Sequence, residues 1–426
     1  MSQESHFLRG SNRLPPPRCR AYCDLVGDAE PVVRVAAVQA ASVFLDREAS
    51  TAKACELIRR AGGAGAQLVA FPEGFIPAHP LWFHFHPATS TVANDLSVEL
   101  FENAVEIPGP QVSLLQEAAR DAGAYVVMGM CEKRPGTFGT LYNTLLFLGP
   151  DGQVLSRHQK LVPTVGERLV HTPGEPRGLV PVPASFGAMS GLICGENSNP
   201  LAISALTMQY TRVHVMSWPS HFPTSGTPLR QRVLIDSQAF AQMTKAFVVS
   251  ACGTVDDQAI ERLQVSGEQE ALLRSEDFCG GSTIVAPDSS VVAGPLGPDE
   301  DILYADLDLE IGVRMKLRHD FAGHYNRPDV FQLSVHLATA NLLDVSPSPV
   351  LGGPVTDGEA APALENHNLP RMLPAVGPVA VGLESPAVPA SLEHGGSPES
   401  PEHLLRTEHA RDGEPGRAGA PGEHVR

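Results

Sequence analysis

Apolar residues first become continuous at Val32, where Val-Val-Arg-Val-Ala-Ala-Val-Gln makes a β-rich run of the kind that forms a buried strand. From there the pattern alternates between short apolar runs and stretches of helical spacing. It predicts a helix over 49–61, a short strand over 67–71 that ends at Pro72-Glu73, a helix over 111–122 and a strand over 124–131. Two further runs, 140–148 and 154–159, flank Pro150-Asp151-Gly152 and read as a hairpin. The second half repeats the alternation, with strands over 188–193, 213–217 and 246–250 between helices over 200–209 and 228–245. Strands over 282–286 and 302–308 follow, and a helix near 310–318 closes the regular part. Helices alternating with β-branched strands imply a layered α/β architecture whose sheet is covered on its outer faces, as one sheet or as two.

The two ends break this pattern. Residues 1–31 mix Ser, Arg, Pro and acidic residues without period, and Pro15-Pro16-Pro17 favours an extended arm. Past Ser346, Ser-Pro steps, Gly-Pro steps and dispersed Glu and His leave no periodic apolar face. A flexible N-terminal arm over 1–31, one domain over 32–345 and a disordered Pro/Gly-rich tail over 346–426 are therefore expected. Composition agrees: 42% of the 426 residues are hydrophobic, enough for a core, while 38 Pro and 39 Gly crowd toward the C-terminus.

A formal net charge of −17 without a basic stripe excludes a nucleic-acid binder. No apolar run approaches the ~20 residues that span a bilayer, and residues 1–17 lack the apolar core of a secretory signal, so the expected compartment is the cytoplasm. The seven cysteines are scattered and odd in number, which predicts reduced thiols. Cys19 and Cys23 are spaced like half a zinc site, but no second pair stands near them.

Reactive groups in α/β proteins stand at strand exits, where a loop frees a side chain whose origin the sheet fixes. Cys194 occupies such an exit in Gly191-Leu-Ile-Cys194-Gly195-Glu196-Asn197. A lone buried cysteine is ordinarily a small hydrophobe, and a nucleophilic thiol needs a base or a cation beside it. Two other exits offer these: Glu73 in Phe71-Pro72-Glu73-Gly74, and Lys160 after the strand ending at Gln159, with Glu167 seven residues on. The loop after Glu73 carries Trp82 and Phe83 among alternating His and aromatic residues, which suits a pocket wall or an interface. His79, His84 and His86 have no Cys or carboxylate spaced to complete a metal site.

These segments, in this order, resemble the nitrilase branch of the carbon-nitrogen hydrolase superfamily. The resemblance spans 32–333 and rests on Arg34-Val-Ala-Ala-Val-Gln39, Phe71-Pro72-Glu73, Lys160-Leu-Val-Pro-Thr164 with Glu167-Arg168, Cys194-Gly-Glu196-Asn197 with Pro200-Leu201, and Gly323-His-Tyr-Asn-Arg-Pro-Asp-Val-Phe331. It implies a four-layer α-β-β-α sandwich, a catalytic Glu73, Lys160 and Cys194, and a Glu167 that positions Lys160 and substrate. It also implies homo-oligomers, often spiral or filamentous, and neither metal nor organic cofactor. By the same resemblance Gly195, Glu196, Asn197, Trp218 and His221 join Trp82 and Phe83 as candidate substrate-binding residues. Many nitrilases carry Trp directly after the nucleophile; Gly195 departs from that and changes the pocket shape.

The expected activity is hydrolysis of an organic nitrile to its acid and ammonia through a cysteine thioimidate and thioester, since a nitrile carbon needs an anionic nucleophile, a proton shuttle and a fixed positive charge. Aliphatic, aromatic and arylacetonitrile substrates stay open. An amidase or carbamoylase of the same superfamily is the nearest alternative. A cyanide-hydrating enzyme fits less well, because such enzymes often have His where Asn197 stands, and a non-catalytic filament protein would not need all three catalytic residue types.

Overall fold

The computed structural model describes residues 32–222 and 226–338. The expected arm over 1–31, the expected tail over 346–426 and the Cys19/Cys23 pair lie outside the described residues.

The first half opens with β1 (Val32–Gln39), α1 (Arg47–Gly63) and β2 (Leu68–Ala70), then α2 (Thr91–Asn103) and α3 (Pro110–Ala122). It closes with β3 (Tyr125–Lys133), β4 (Leu141–Leu148) and β5 (Val154–Gln159). The second half runs β6 (Val182–Ala184), β7 (Gly187–Ile193), α4 (Pro200–Met208), β8 (Thr211–Trp218), α5 (Leu229–Thr244) and β9 (Phe247–Cys252). After it come α6 (Asp257–Leu263), α7 (Glu268–Leu273), β10 (Thr283–Val285), β11 (Val291–Ala293), β12 (Asp301–Asp308) and α8 (Glu310–Arg318).

Two six-stranded sheets result, in the orders β12-β1-β2-β3-β4-β5 and β11-β10-β9-β8-β7-β6. Within them β1, β2 and β3 are parallel, as are β7, β8 and β9, and the flanking pairs are antiparallel. Strand β1 shows why the run from Val35 to Val38 is wholly apolar. Val33, Val35 and Ala37 enter the core shared by both sheets, while Ala36 and Val38 pack with Ala54 and Ile58 of α1 and Leu115 and Ala118 of α3. Both faces are buried, so neither can be polar. Ile203 and Leu206 of α4 and Val233 and Phe240 of α5 cover the second sheet, completing the α-β-β-α sandwich.

The hairpin forms where the sequence predicts it, with Gly149 N–H donating to the Gln153 carbonyl and Gly152 at φ 78°. The two sheets meet at their strand ends. Ser217 Oγ donates to the Phe71 carbonyl at 2.7 Å, and Glu73 N–H to the Trp218 carbonyl at 3.1 Å. The exits of β2, β5, β7 and β8 therefore lie at one edge of the sandwich. Among the described residues no helix is long and apolar enough to cross a membrane.

Candidate active site

Glu73 stands three residues beyond β2, on a loop pressed against β3. A Cβ at Gly129 would lie 1.9 Å from the Pro72 carbonyl oxygen, so only glycine lets the loop approach this closely. Lys160 follows β5 directly, its N–H donating to the Asn143 carbonyl at 2.8 Å. Glu167 lies in the short 3-10 turn Val165–Leu169, where its Oε2 accepts Thr164 N–H at 2.7 Å. Cys194 directly follows β7 and opens another 3-10 turn, Cys194–Ser198, at φ 51°. That left-handed conformation is costly for a residue with a side chain and turns the thiol sharply off the strand axis.

The side chains converge on Lys160. Its Nζ donates to Glu73 Oε1 at 2.8 Å and to Glu167 Oε2 at 2.7 Å. Asn143 Nδ2 ties the same carboxylates together from the other side, 2.7 Å from Glu73 Oε1 and 2.7 Å from Glu167 Oε1. His171 Nδ1–H adds a fourth donor to Glu167 at 3.1 Å, and its Nε2 receives the Cys131 thiol at 3.3 Å. Glu73, Asn143, Lys160, Glu167 and Cys194 are all buried.

Two carboxylates around one ammonium cannot titrate alike. Burial and the charge of Glu167 raise the Glu73 carboxyl above its ordinary range, more than Lys160 lowers it. Burial acts on Glu167 in the same sense, but there Lys160 and the His171 hydrogen bond win and hold it ionised far below the carboxylate range. Burial alone would lower Lys160; the charges of Glu73, Cys194 and Glu167 outweigh it and keep the ammonium protonated beyond the usual lysine range. Burial and Glu73 raise the Cys194 thiol well above an ordinary cysteine. Cys194 therefore rests as a thiol, and a raised carboxyl beside it is a group able to exchange a proton near neutral pH.

Glu73, His79 and Glu167 bring possible ligand atoms within 4.8 Å of one another. Lys160 Nζ already bridges the two carboxylates, so the chain itself supplies the positive charge there. A cavity of about 20 Å³, lined among others by Ser42, Glu73, His79, Ser220 and Thr254, suffices for one water.

A family model described as "Carbon-nitrogen hydrolase" matches residues 34–314. The chain is 37% identical to "Nitrilase 2" of an unknown prokaryotic organism, over 71% of this chain and 92% of that one. It is 35% identical to the "Aliphatic nitrilase" of Rhodococcus rhodochrous, over 71% of this chain and 82% of that one.

The chain belongs to the carbon-nitrogen hydrolase family.

Its identity to relatives named nitrilases places it on the nitrilase branch. The fold of this hydrolase is shared with a carbon-nitrogen hydrolase from Helicobacter pylori G27, at a TM-score of 0.56 and 17% identity over 71% of this chain and 97% of that one.

The seven residues expected to bind substrate divide into two groups. Trp82 is committed to a separate apolar cluster: its Nε1–H donates to Ser97 Oγ at 3.2 Å and its ring packs edge-on to Phe44 with Leu96 and Leu100 of α2. Glu196 and Asn197 are spent on the elbow itself. Glu196 accepts the N–H groups of Ile193 and Leu161, and Asn197 Nδ2 donates to the carbonyls of Leu192 and Cys194. The other four stay near the reacting groups. Phe83 abuts the Glu167 turn, 2.7 Å from where a Cβ on Gly166 would sit. Gly195 faces Thr164 with ordinary clearance for a Cβ, so a side chain fits there. Trp218 and His221 are fully buried, and Trp218 Nε1 and His221 Nε2 have no hydrogen-bond partner. The His221 ring meets those of His84 (5.6 Å) and Phe85 (5.4 Å), and His84 in turn meets Phe222 (5.1 Å). Burial keeps His221 and His84 neutral, the latter lowered to about 4.

Sequence reasoning missed Asn143 and His171. A signal existed for Asn143, the polar break in Leu-Tyr-Asn-Thr-Leu-Leu, where a fully buried strand tolerates an amide only with partners. His171 stands in an irregular segment and gave none.

Proposed function

We propose that the protein hydrolyses an organic nitrile to the carboxylic acid and ammonia, with Cys194 as nucleophile, Glu73 as proton shuttle and Lys160 as the fixed charge. The observation that supports this reading is the buried Lys160 held between two carboxylates whose pKa values are driven apart. Glu73 takes the thiol proton as sulfur attacks the nitrile carbon, and the same carboxyl group protonates the nitrogen of the resulting thioimidate. Lys160 offsets the negative charge that develops during addition. A water, deprotonated by Glu73, adds to the thioimidate carbon, and the nitrogen leaves as ammonia. A second water hydrolyses the thioester, returning the thiol and its proton. Glu167 stays ionised throughout and keeps Lys160 charged.

The hydrolase domain is proposed to occupy 32–345, with 1–31 and 346–426 outside it. Homo-oligomers are supported by apolar side chains left exposed on α4 and α5, among them Leu201, Met208 and Ile235. A cytoplasmic location fits the free, buried state of Cys55, Cys131, Cys194, Cys252 and Cys279.

Cys194→Ala tests the assignment. Ammonia release from a panel of aliphatic, aromatic and arylacetonitriles should vanish while oligomer size is kept, and retained turnover would refute the nucleophile. Ammonia from the matching amides but from no nitrile would make the protein an amidase instead.

A further inference from the structure

We propose that Glu196 is the positioning residue that sets the separation between the Lys160 ammonium and the Cys194 thiol. Lys160 hangs from the end of β5 in the first sheet and Cys194 from the end of β7 in the second. The two must nonetheless keep a fixed spacing, because a cation stabilises a forming thiolate in inverse proportion to their distance.

Glu196 spans that gap. Its Oε1 accepts the N–H of Leu161, the residue after Lys160, at 2.6 Å. Its Oε2 accepts the N–H of Ile193, the residue before Cys194, at 3.1 Å. His158, two residues before Lys160, donates Nε2–H to the same Oε2 at 2.8 Å. One carboxylate thus takes donors from both strand exits, on the residues that adjoin the two reacting side chains. The His158 side chain is fully buried and that of Glu196 nearly so, which makes these charge-assisted bonds short and expensive to break. With three donors on it, Glu196 has little left to offer a substrate.

A second arm holds the elbow from within its own sheet. Asn197 Nδ2 donates to the Cys194 carbonyl at 2.9 Å, its Oδ1 accepts His214 Nε2–H at 3.0 Å, and Ser190 Oγ–H donates to His214 Nδ1 at 2.7 Å. His214 lies flat on Phe240, ring centroids 3.9 Å apart. This arm preserves the positive φ of Cys194, whereas Glu196 connects that elbow to the lysine.

The proposal rests on the roles given above to Cys194 and Lys160, and its test reads the thiol without any substrate. Glu196→Gln keeps the volume but turns an NH2 group toward at least one N–H donor, forcing the two exits apart. The full-length protein is alkylated with iodoacetamide across pH, and the Cys194 peptide is followed by mass spectrometry. In the variant, the rate at neutral pH should fall roughly tenfold and the midpoint should rise by about one pH unit. The kcat for a nitrile should fall in parallel, with KM held within about twofold. His158→Asn removes one donor of three and should give the same changes at roughly a third of the size, which keeps the test alive if the Gln variant does not fold. Folded variants whose Cys194 alkylates like the parent overturn the proposal, and so does a rise in KM alone, which would mean contact with substrate. Unfolding of both variants also overturns it, since Glu196 would then serve the core and not the spacing. A parent that turns over no nitrile sinks the proposed function but leaves the alkylation result standing, so the two failures are distinguishable.

Discussion

Burying Glu73, Lys160 and Glu167 together costs desolvation that a simple pair would scarcely recover, and the arrangement is sustained by how many donors the carboxylates receive. Lys160, Asn143, His171 and the Thr164 backbone all point at them, yet Glu73 Oε2 is left with no hydrogen-bond partner. That asymmetry leaves one carboxyl a permanent anion and the other able to titrate, as the base proposed above would have to. A pH profile follows with a definite sign. Glu73 must be ionised to accept the thiol proton, and its pKa is raised, so kcat/KM should be lost on acidification at a pH above the 4.5 of an ordinary glutamate. Lys160 is raised as well, so no alkaline loss should appear near the 10.5 of an ordinary lysine. An acid limb centred at or below 4.5, measured on the Cys194-competent enzyme, would remove Glu73 from the role of base. Glu73 and Cys194 were conspicuous because each follows an apolar strand, whereas β5 before Lys160 is largely polar and Glu167 lies in a turn, so the roles of those two rest on the resemblance. Glu196 and Asn197 misled because adjacency in sequence to a nucleophile says nothing about which way a side chain turns.

At the scale of elements, strand placement was legible wherever burial on both faces left an apolar run, as in β1, β3 and β9. Helix α2 was not foreseen, although Ser90 caps it through Ala93 N–H and Ala93, Leu96 and Leu100 share its buried face. Its apolar stripe is thin, and the aromatic loop before it invited a reading in terms of a pocket. The same loop shows why Trp82 was misplaced, since α2 provides the Ser97 hydroxyl that claims the indole. The contact between β3 and the Glu73 loop was equally hidden, because a strand glycine looks neutral until its neighbour is known. Gly129→Ala places a methyl group 1.9 Å from the Pro72 oxygen, so the loop or the strand must move. Overpacking of this kind costs about 1–3 kcal/mol. The variant should melt several degrees lower, and its kcat should fall by more than tenfold as Glu73 is pushed off Lys160. Parental kcat in this variant would show that the loop tolerates displacement and that the close approach does not serve the base.

Across the whole molecule the sandwich buries an unusual set of uncharged imidazoles, and these tie its stability to pH. Burial lowers His79 to about 3 and His84 to about 4, and it drives His214 and His221 well below 6.5. In the unfolded chain each would bind a proton near 6.5, so on acidification through that value the unfolded state gains protons that the native state refuses. Stability is then lost as pH falls from 6.5 toward the folded values, at about 1.4 kcal/mol per unit for each fully buried ring. Glu167 adds to the loss at lower pH: its carboxyl is depressed in the fold, so the stability it contributes is present above 4.5 and disappears below. Glu73 works the other way, being raised, but it is one group against five. Calorimetric melting temperature should therefore be flat between about pH 8 and 6.5, decline from 6.5 to 4.5 and drop more steeply beneath. The decline should persist in Cys194→Ala, whose thiol plays no part in it, and a melting temperature that held or rose between 6.5 and 4.5 would mean that these histidines take up protons in the native core.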